Sequence, residues 1–477
     1  MNIDRSIDKA FEPVSNFIAN IIFYAEPVTG FDIKLILVWL VYLSLFLTVY
    51  LGFINIRYFG HAINVLRGKY DDPNADGQIN RFQALSTSLS GTVGLGNIAG
   101  VAVAVSVGGP GAVFWMAVMG LFGMSAKFAE AALGVKYRNH RDPAHPESIS
   151  GGPMYYIRDA FANRNIPHVG IFLAGLFAVC CIGGAFGAGN MFQANQSFQQ
   201  LVNVTGGEAS FMADKGWLYG LVMAVLIGVV IIGGLQSIAK AASKIVPIMG
   251  GIYVLAGLVV IALNIPALPG ALVTIVQMAL TPEAGFGAVL GALLMGVQRA
   301  AFSNEAGVGS AAIVHATAKT DQPISQGFVG MLGPFIDTII ICMVTALVIV
   351  ITGSYIGGEG MEGVALTSRA FESAIPWFPY VLALTVLLFA YSTMISWSYY
   401  GLKCTTYLFG EKPAIELGYK LLFCGMTVIG ASATLDSIIL FSDAMIFAMA
   451  IPNAIGLYLL APELKKDLKI YLQDIQK

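Results

Sequence analysis

Ser90-Gly91-Thr92-Val93-Gly94-Leu95-Gly96-Asn97-Ile98-Ala99-Gly100 is the stretch on which the fold turns. It lies within a run of 45 residues, Phe82 to Ala126, that carries no charge. One helix needs about 20 apolar residues to cross a bilayer, so the run holds two crossings. Gly91, Gly94, Gly96 and Gly100 make a poor continuous helix, because glycine costs about 1 kcal/mol against alanine at a helical position. Within hydrocarbon, a helix break is tolerated only where the freed N–H and C=O groups are buried in protein or face a water-filled cavity. The stretch is therefore predicted to be a break at mid-membrane depth, a typical site for a small charged solute and its coupling cation. The same glycines also fit a helix-packing seam of the small-xxx-small kind.

Composition agrees with a membrane environment. Of the 477 residues, 57% are hydrophobic and 11% charged, against roughly 25% charged in soluble domains. A net charge of −2 offers no basic surface for nucleic acid. Cys180, Cys181, Cys342, Cys404 and Cys424 sit in or beside apolar runs without CxxC spacing and read as free packed thiols. His61, His140, His145, His168 and His315 lie at or near span ends and loops, with no metal-ligand spacing. There is no P-loop, and Gly94-Leu95-Gly96 lacks the βαβ context of a dinucleotide site, so neither an ATP-driven pump nor an organic cofactor is expected. The first long apolar run, Leu35 to Ile56, comes too late and is too long for a signal peptide. The mixed segment Val14 to Tyr24 reads either as a helix on the membrane surface or as a frayed terminus.

Apolar runs give eleven spans: near 35–56, two within 82–126 divided at Gly108-Gly109-Pro110-Gly111, then 169–203, 216–237, 245–265, 285–314, 326–354, 378–402, 419–434 and 437–461. Loops on one side collect 20 of the 26 Lys and Arg, Lys127, Arg141 and Lys477 among them. The other side has five, Arg5, Lys9, Lys34, Lys215 and Arg369, and Arg299 falls inside a span. The positive-inside rule then puts the N-terminus outside and the C-terminus in the cytoplasm. In the largest cytoplasmic loop, Gly151-Gly152-Pro153-Met154-Tyr155-Tyr156-Ile157-Arg158 reads as a turn into a short amphipathic helix at the inner face.

A repeat is hidden in the chain. Ser90-x-x-x-Gly94-x-Gly96-x-x-Ala99 recurs, 213 residues on, as Ser303-x-x-x-Gly307-x-Gly309-x-x-Ala312. Five spans separate the two copies, so the second crosses in the opposite direction. Paired Gly-interrupted spans in matching positions point to an inverted-repeat transporter. The expected organisation is an external, interfacial N-terminal segment (1–34), an extra first span with its cytoplasmic loop (35–81), two five-helix repeats (82–265 and 266–461) and a cytoplasmic tail (462–477).

Candidate site residues follow from the breaks. The N–H groups of Gly96, Asn97 and Ile98 would open a half-helix whose positive end suits a carboxylate. Carbonyls of Ser90, Thr92 and Val93, released from helix bonding, could ligate Na⁺. Before the second break, Gln298, Phe302 and Ser303 could face the substrate. Arg299 and Glu305 are ionisable groups within an apolar span, which by default suggests function. Arg299 reads as a structural or gating ion pair. Asp337 could take part in proton coupling or pair with Arg299. Phe186, Asn190 and Gln193 share one helical face, which could meet an amino group and a short side chain or make interhelical hydrogen bonds. Ser392, Thr393 and Ser396 could complete a Na⁺ shell, or back-bond to their own helix. Trp397 could cap a pocket or simply pack.

Thr87 to Gly100, Gly151 to Tyr156, Gln298 to Gly307 and Trp397-Ser398-Tyr399-Tyr400-Gly401 together resemble the alanine or glycine:cation symporter family. The resemblance implies an all-α, five-plus-five inverted-repeat fold preceded by one extra span. It also implies Na⁺-driven uptake of alanine or glycine across a bacterial or archaeal inner membrane. Gly91 to Asn97 also looks like the unwound segment of the neurotransmitter:sodium symporters. That likeness implies Na⁺ held by the Ser90 and Val93 carbonyls with Thr393 and Ser396 or Ser392, and a substrate carboxylate on the Gly94-to-Gly96 backbone, beside Thr92 and Leu95. It matches Asn97 to a ligand of a second Na⁺, but Gly91 stands where those relatives carry a larger residue. The expected function is a secondary active symporter with an amino acid and the lipid bilayer as partners. Its competitors are an H⁺-coupled carrier, with Asp337 or Glu305 titrating, and a channel.

Overall fold

The computed structural model describes all residues except 1–2, 24, 29–30, 73, 141–148, 281–285, 357–362 and 476–477, so Arg141, His145 and Lys477 lie outside the described residues. The regular structure of the described residues is helical, apart from an isolated bridge between Ile79 and Ala318 and two small antiparallel pairs, Ala25–Val28 with Phe31–Lys34 and Asn139–His140 with Ile149–Ser150. An N-terminal helix, α1 (Ile3–Ile22), precedes α2 (Leu35–Tyr50). Then follow α3 (Arg81–Thr92) and α4 (Ala99–Gly108), α5 (Gly111–Lys136), α6 (Pro167–Val204), α7 (Gly216–Ile232) and α8 (Gly234–Leu263). A connecting helix, α9 (Ile265–Leu280), comes next. Beyond it are α10 (Phe286–Asn304) and α11 (Ser310–His315), then α12 (Pro323–Ile351), α13 (Phe378–Phe409), α14 (Pro413–Ser432) and α15 (Leu435–Asp474).

A helix lies on each of the eleven expected spans. Among the described residues, seven are long and apolar enough to cross a bilayer, and the bent pair α3–α4 makes an eighth. The boundaries have local causes. Asn80 caps α3 reciprocally with Gln83, the Asn80 side chain accepting from Gln83 N–H at 2.8 Å and Gln83 Oε1 from Asn80 N–H at 3.1 Å. Pro110, Ile166-Pro167 and Lys412-Pro413 set the starts of α5, α6 and α14, where a missing N–H costs nothing. Segments Gly187–Met191 and Phe335–Cys342, within α6 and α12, are wound as π-helix.

The structure bears on four of these readings. Lys127 is no loop residue: α5 runs on to Lys136, and Lys127 and Glu130 are 2% and 0% exposed inside it. The tail beyond 461 is not a separate element, because α15 stays helical to Asp474. The helix α9, absent from the span count, is a short apolar segment shielded from sequence recognition by Pro266 and Pro269. Val14 to Tyr24 is not frayed up to Ile22: α1 packs on α15, with Ser15 Oγ donating to the Ser437 carbonyl at 2.7 Å and Phe11 edge-on to Phe441.

Lipid-facing and interior helices separate cleanly. Leu221, Val225 and Val229 on α7, Leu255 on α8 and Leu421 on α14 are exposed apolar side chains, whereas α5 and α15 are mostly buried. With hydrocarbon as solvent, such exposure is the favourable state, and the interior is held by close packing and hydrogen bonds. Both broken helices lie in that interior: α10 packs along α4 and α5, and α3 against α8 and α13.

Candidate functional site

The first break bends α3 from α4 by 59°. In an unbroken helix, Gly94, Leu95 and Asn97 would donate to the carbonyls of Ser90, Gly91 and Val93. Here Gly94 N–H donates to the Thr92 carbonyl and to Asn97 Oδ1, both at 2.9 Å, Leu95 N–H to Gln193 Oε1 at 3.0 Å, and Asn97 N–H to the Gly94 carbonyl at 3.2 Å. The Gly91 carbonyl accepts instead from Trp397 Nε1 at 3.1 Å. The carbonyls of Ser90 and Val93 are thus released from their helical donors, whereas the Thr92 carbonyl, expected to be free with them, is taken by Gly94 N–H. Gly94 is required by proximity: a Cβ there would fall 2.5 Å from Thr393 Oγ1 and 3.0 Å from Gln193 Oε1.

Helix α13 brings the hydroxyl cluster to this break. Ser90 Oγ donates to the Ser392 carbonyl at 2.6 Å. Ser392 Oγ donates back to the Phe389 carbonyl at 3.0 Å. Thr393 Oγ1 and Ser396 Oγ are buried and have no hydrogen-bond partner among the described residues. A buried hydroxyl left unpaired costs about 1–3 kcal/mol, so two on the helix that meets this break, Thr393 Oγ1 being close against Gly94, are oxygens of the kind a hard cation takes.

A cavity of about 10 Å³, room for roughly one water, is lined by Gly91, Thr92, Gly96, Ala188, Gln193, Phe302, Glu305 and Trp397. Of the expected substrate residues it therefore gathers Thr92, Gly96, Gln193, Phe302 and Trp397, with Gly94 and Leu95 bonded or packed against Gln193. The Thr92 hydroxyl back-bonds to Ser88 and Leu89 carbonyls at 3.3 and 3.4 Å. Five expected residues, Asn97, Phe186, Asn190, Gln298 and Ser303, do not line it. The π-helical turn rotates α6, so Phe186 stacks on Tyr419 at 5.7 Å and Asn190 Nδ2 donates to the Phe423 carbonyl at 2.6 Å. Only Gln193 of that supposed face points to the break. Gln298 donates to Asp443 Oδ2 at 2.6 Å and accepts from Lys34 Nζ at 3.3 Å. Ser303 donates to Asp337 Oδ1 at 2.7 Å and accepts from Asn97 Nδ2 at 3.0 Å.

The ionisable groups pair differently from expectation. Arg299 bonds Asp443 on α15, not Asp337 or Glu305, and its guanidinium lies 5.2 Å from the centre of the Phe302 ring. Asp337 instead accepts from Ser303 and from Thr338 Oγ1 at 2.8 Å. Asn97 spans both halves: beyond Ser303, its Nδ2 reaches the Asp337 carbonyl and Cys342 Sγ, each at 3.3 Å, and its carbonyl accepts from Thr345 Oγ1 at 2.8 Å.

At the second break, Glu305, Gly307 and Gly309 all have positive φ (54°, 85° and 98°). Ser310 Oγ donates to Glu305, and Ala306 N–H to Asn304 Oδ1 at 2.9 Å. Asn453 Nδ2 donates to the Gly307 carbonyl at 2.8 Å and to Glu130 Oε1 at 3.0 Å, and Lys127 Nζ stands 3.9 Å from Glu130. Lys127, Glu130, Asp443 and Asn453 are the residues that sequence reasoning missed. The first two hid behind the end of the uncharged run, and the others lie in α15 with no local signature.

A family model described as the sodium:alanine symporter family matches residues 16–477. Sodium/alanine symporter AgcS of Methanococcus maripaludis is 42% identical over 91% of this chain and 93% of its own length. Amino-acid carrier protein AlsT of Bacillus subtilis is 38% identical over 74% of this chain and 71% of its own. Among solved structures, the crystal structure of MhsT in complex with L-phenylalanine aligns with a TM-score of 0.52 at 14% identity, covering 83% of this chain and 99% of that one. At that identity the likeness concerns fold alone, and the fold is the inverted-repeat one of the neurotransmitter:sodium symporters.

Proposed function

The chain belongs to the sodium:alanine symporter family, and from that premise we propose how it couples inward Na⁺ movement to uptake of a small neutral amino acid, alanine or glycine. The observation that carries the reading is the pair of orphan hydroxyls, Thr393 Oγ1 and Ser396 Oγ, beside a break whose Ser90 and Val93 carbonyls have lost their donors. These four oxygens hold Na⁺. Ser392 contributes by anchoring Ser90 through its carbonyl, since its own hydroxyl is engaged.

The substrate carboxylate takes the N–H groups of the first break. Gln193 Oε1 already makes one such contact with Leu95 N–H, and its amide swings to admit an anionic oxygen. Thr92, Gly94 and Gly96 line that pole. Trp397 and Phe302 are the walls that limit the side chain to a methyl group or a hydrogen. Asn97 ties the break to Ser303 and so relays occupancy to the second repeat. Arg299, Asp443 and Gln298 close the outer path above Phe302, and rocking of one bundle against the other opens the inner one. The cationic loops face the cytoplasm of a bacterial or archaeal cell, the N-terminus is outside, and the repeats divide at 82–265 and 266–461. No enzymatic step and no organic cofactor is needed.

Radiolabelled alanine uptake into proteoliposomes tests the reading. An inward Na⁺ gradient is expected to drive saturable accumulation against the alanine gradient, competed by glycine. Undiminished uptake in Na⁺-free buffer under an imposed pH gradient would remove Na⁺ from the account.

A further inference from the structure

We infer that the Glu305 carboxylate is the counter-charge for the substrate's ammonium group, so that the cavity selects α-amino acids by gripping both poles of a zwitterion. This rests on the reading of the cavity as the cargo site.

Glu305 is 3% exposed and lines the same small cavity as Gly91, Thr92 and Gly96 of the first break. One broken helix thus offers main-chain N–H groups and the other a carboxyl group.

The backbone at Glu305 argues for a purpose. Its φ of 54° is a conformation L side chains adopt only under constraint. At the two other positive-φ positions of this break, 307 and 309, the chain uses glycine. At 305 it keeps a carboxylic acid instead.

Charge balance points the same way. Around the two breaks, Glu130, Glu305 and Asp337 are three buried carboxyl groups, and they share one nearby buried amine, Lys127, which stands 3.9 Å from Glu130 and whose charge also reaches Glu305 and Asp337. Arg299 is engaged by Asp443. Glu305 receives a hydroxyl from Ser310, a neutral donor. A buried carboxylate needs an opposite charge, and an ammonium group arriving with the cargo supplies it.

The test uses lactate, which has the carbon skeleton and carboxylate of alanine but a hydroxyl for the ammonium. In the wild-type protein at saturating Na⁺, lactate is expected to compete with radiolabelled alanine at least 100-fold less well than alanine itself. Equal competition would overturn the inference, whatever any variant does. Glu305→Gln keeps the shape and the Ser310 contact. It is expected to weaken alanine at least 30-fold, leave lactate within threefold, and leave ²²Na⁺ binding without amino acid within twofold. Alanine affinity within threefold of wild type, or alanine and lactate weakened together, would overturn the assignment. A wild-type protein that binds no alanine at all would fell the cargo reading, and this inference with it.

Discussion

The two helix breaks share a sequence pattern and differ in how their main chains are satisfied. At the first, between Thr92 and Ala99, the partners are neutral and small: Asn97, Gln193 and the Trp397 indole, with two hydroxyls left over. At the second, between Asn304 and Ser310, they come from a charged layer, with Asn453 joining the Gly307 carbonyl to Glu130, and Lys127 nearby. The difference teaches that an inverted repeat supplies two similar openings but not two similar sites. One has its main chain met by neutral side chains, and the other is held by side chains from α5 and α15. Only Glu305 breaks that division, by facing the shared cavity.

Substitutions can test how deep the contrast goes. Gly94→Ala carries the largest expected effect, a loss of alanine uptake of 100-fold or more with normal membrane insertion, because the new methyl would sit 2.5 Å from Thr393 Oγ1. Retained uptake in proteoliposomes would mean the first break is not the gripping one. Asn453→Ala should act on the opposite break, leaving the Gly307 carbonyl and Glu130 short of a donor. A lost buried hydrogen bond of this kind costs about 1–3 kcal/mol, read as a lower melting temperature in detergent. An unchanged melting curve with a shifted Na⁺ dependence would invert the roles of the two breaks. Thr393→Ala should raise the Na⁺ concentration for half-maximal uptake about tenfold, the equivalent of about 1.4 kcal/mol. Ser392→Ala should move it less than about twofold, since that hydroxyl already bonds the Phe389 carbonyl in its own helix. Equal shifts for the two would erase the distinction between a free hydroxyl and an engaged one.

Much of this was legible before any coordinates. Hydrophobic run length placed a helix on every expected span, and the Gly-rich stretches located both breaks, since both signals are local. What escaped was non-local or concealed. A charged residue in a hydropathy count marks a span end, yet Lys127 and Glu130 lie one helical turn apart and go into the interior together. The partner of Arg299 lies 144 residues away, at Asp443. The face drawn through Phe186, Asn190 and Gln193 assumed 3.6 residues per turn. Gly187–Met191 is wider than that, so only Gln193 arrives at the break. Residue type alone marked the hydroxyl cluster Ser392, Thr393 and Ser396. Which hydroxyls remain unpaired could only be learned from geometry.

Asn97 has one further consequence. Its single amide joins Gly94 on one side to Ser303, the Asp337 backbone and Cys342 on the other. Any movement that parts these elements has to break bonds meeting at that one amide. If they release as a set, proteoliposomes are expected to show little ²²Na⁺ entry when no amino acid is present.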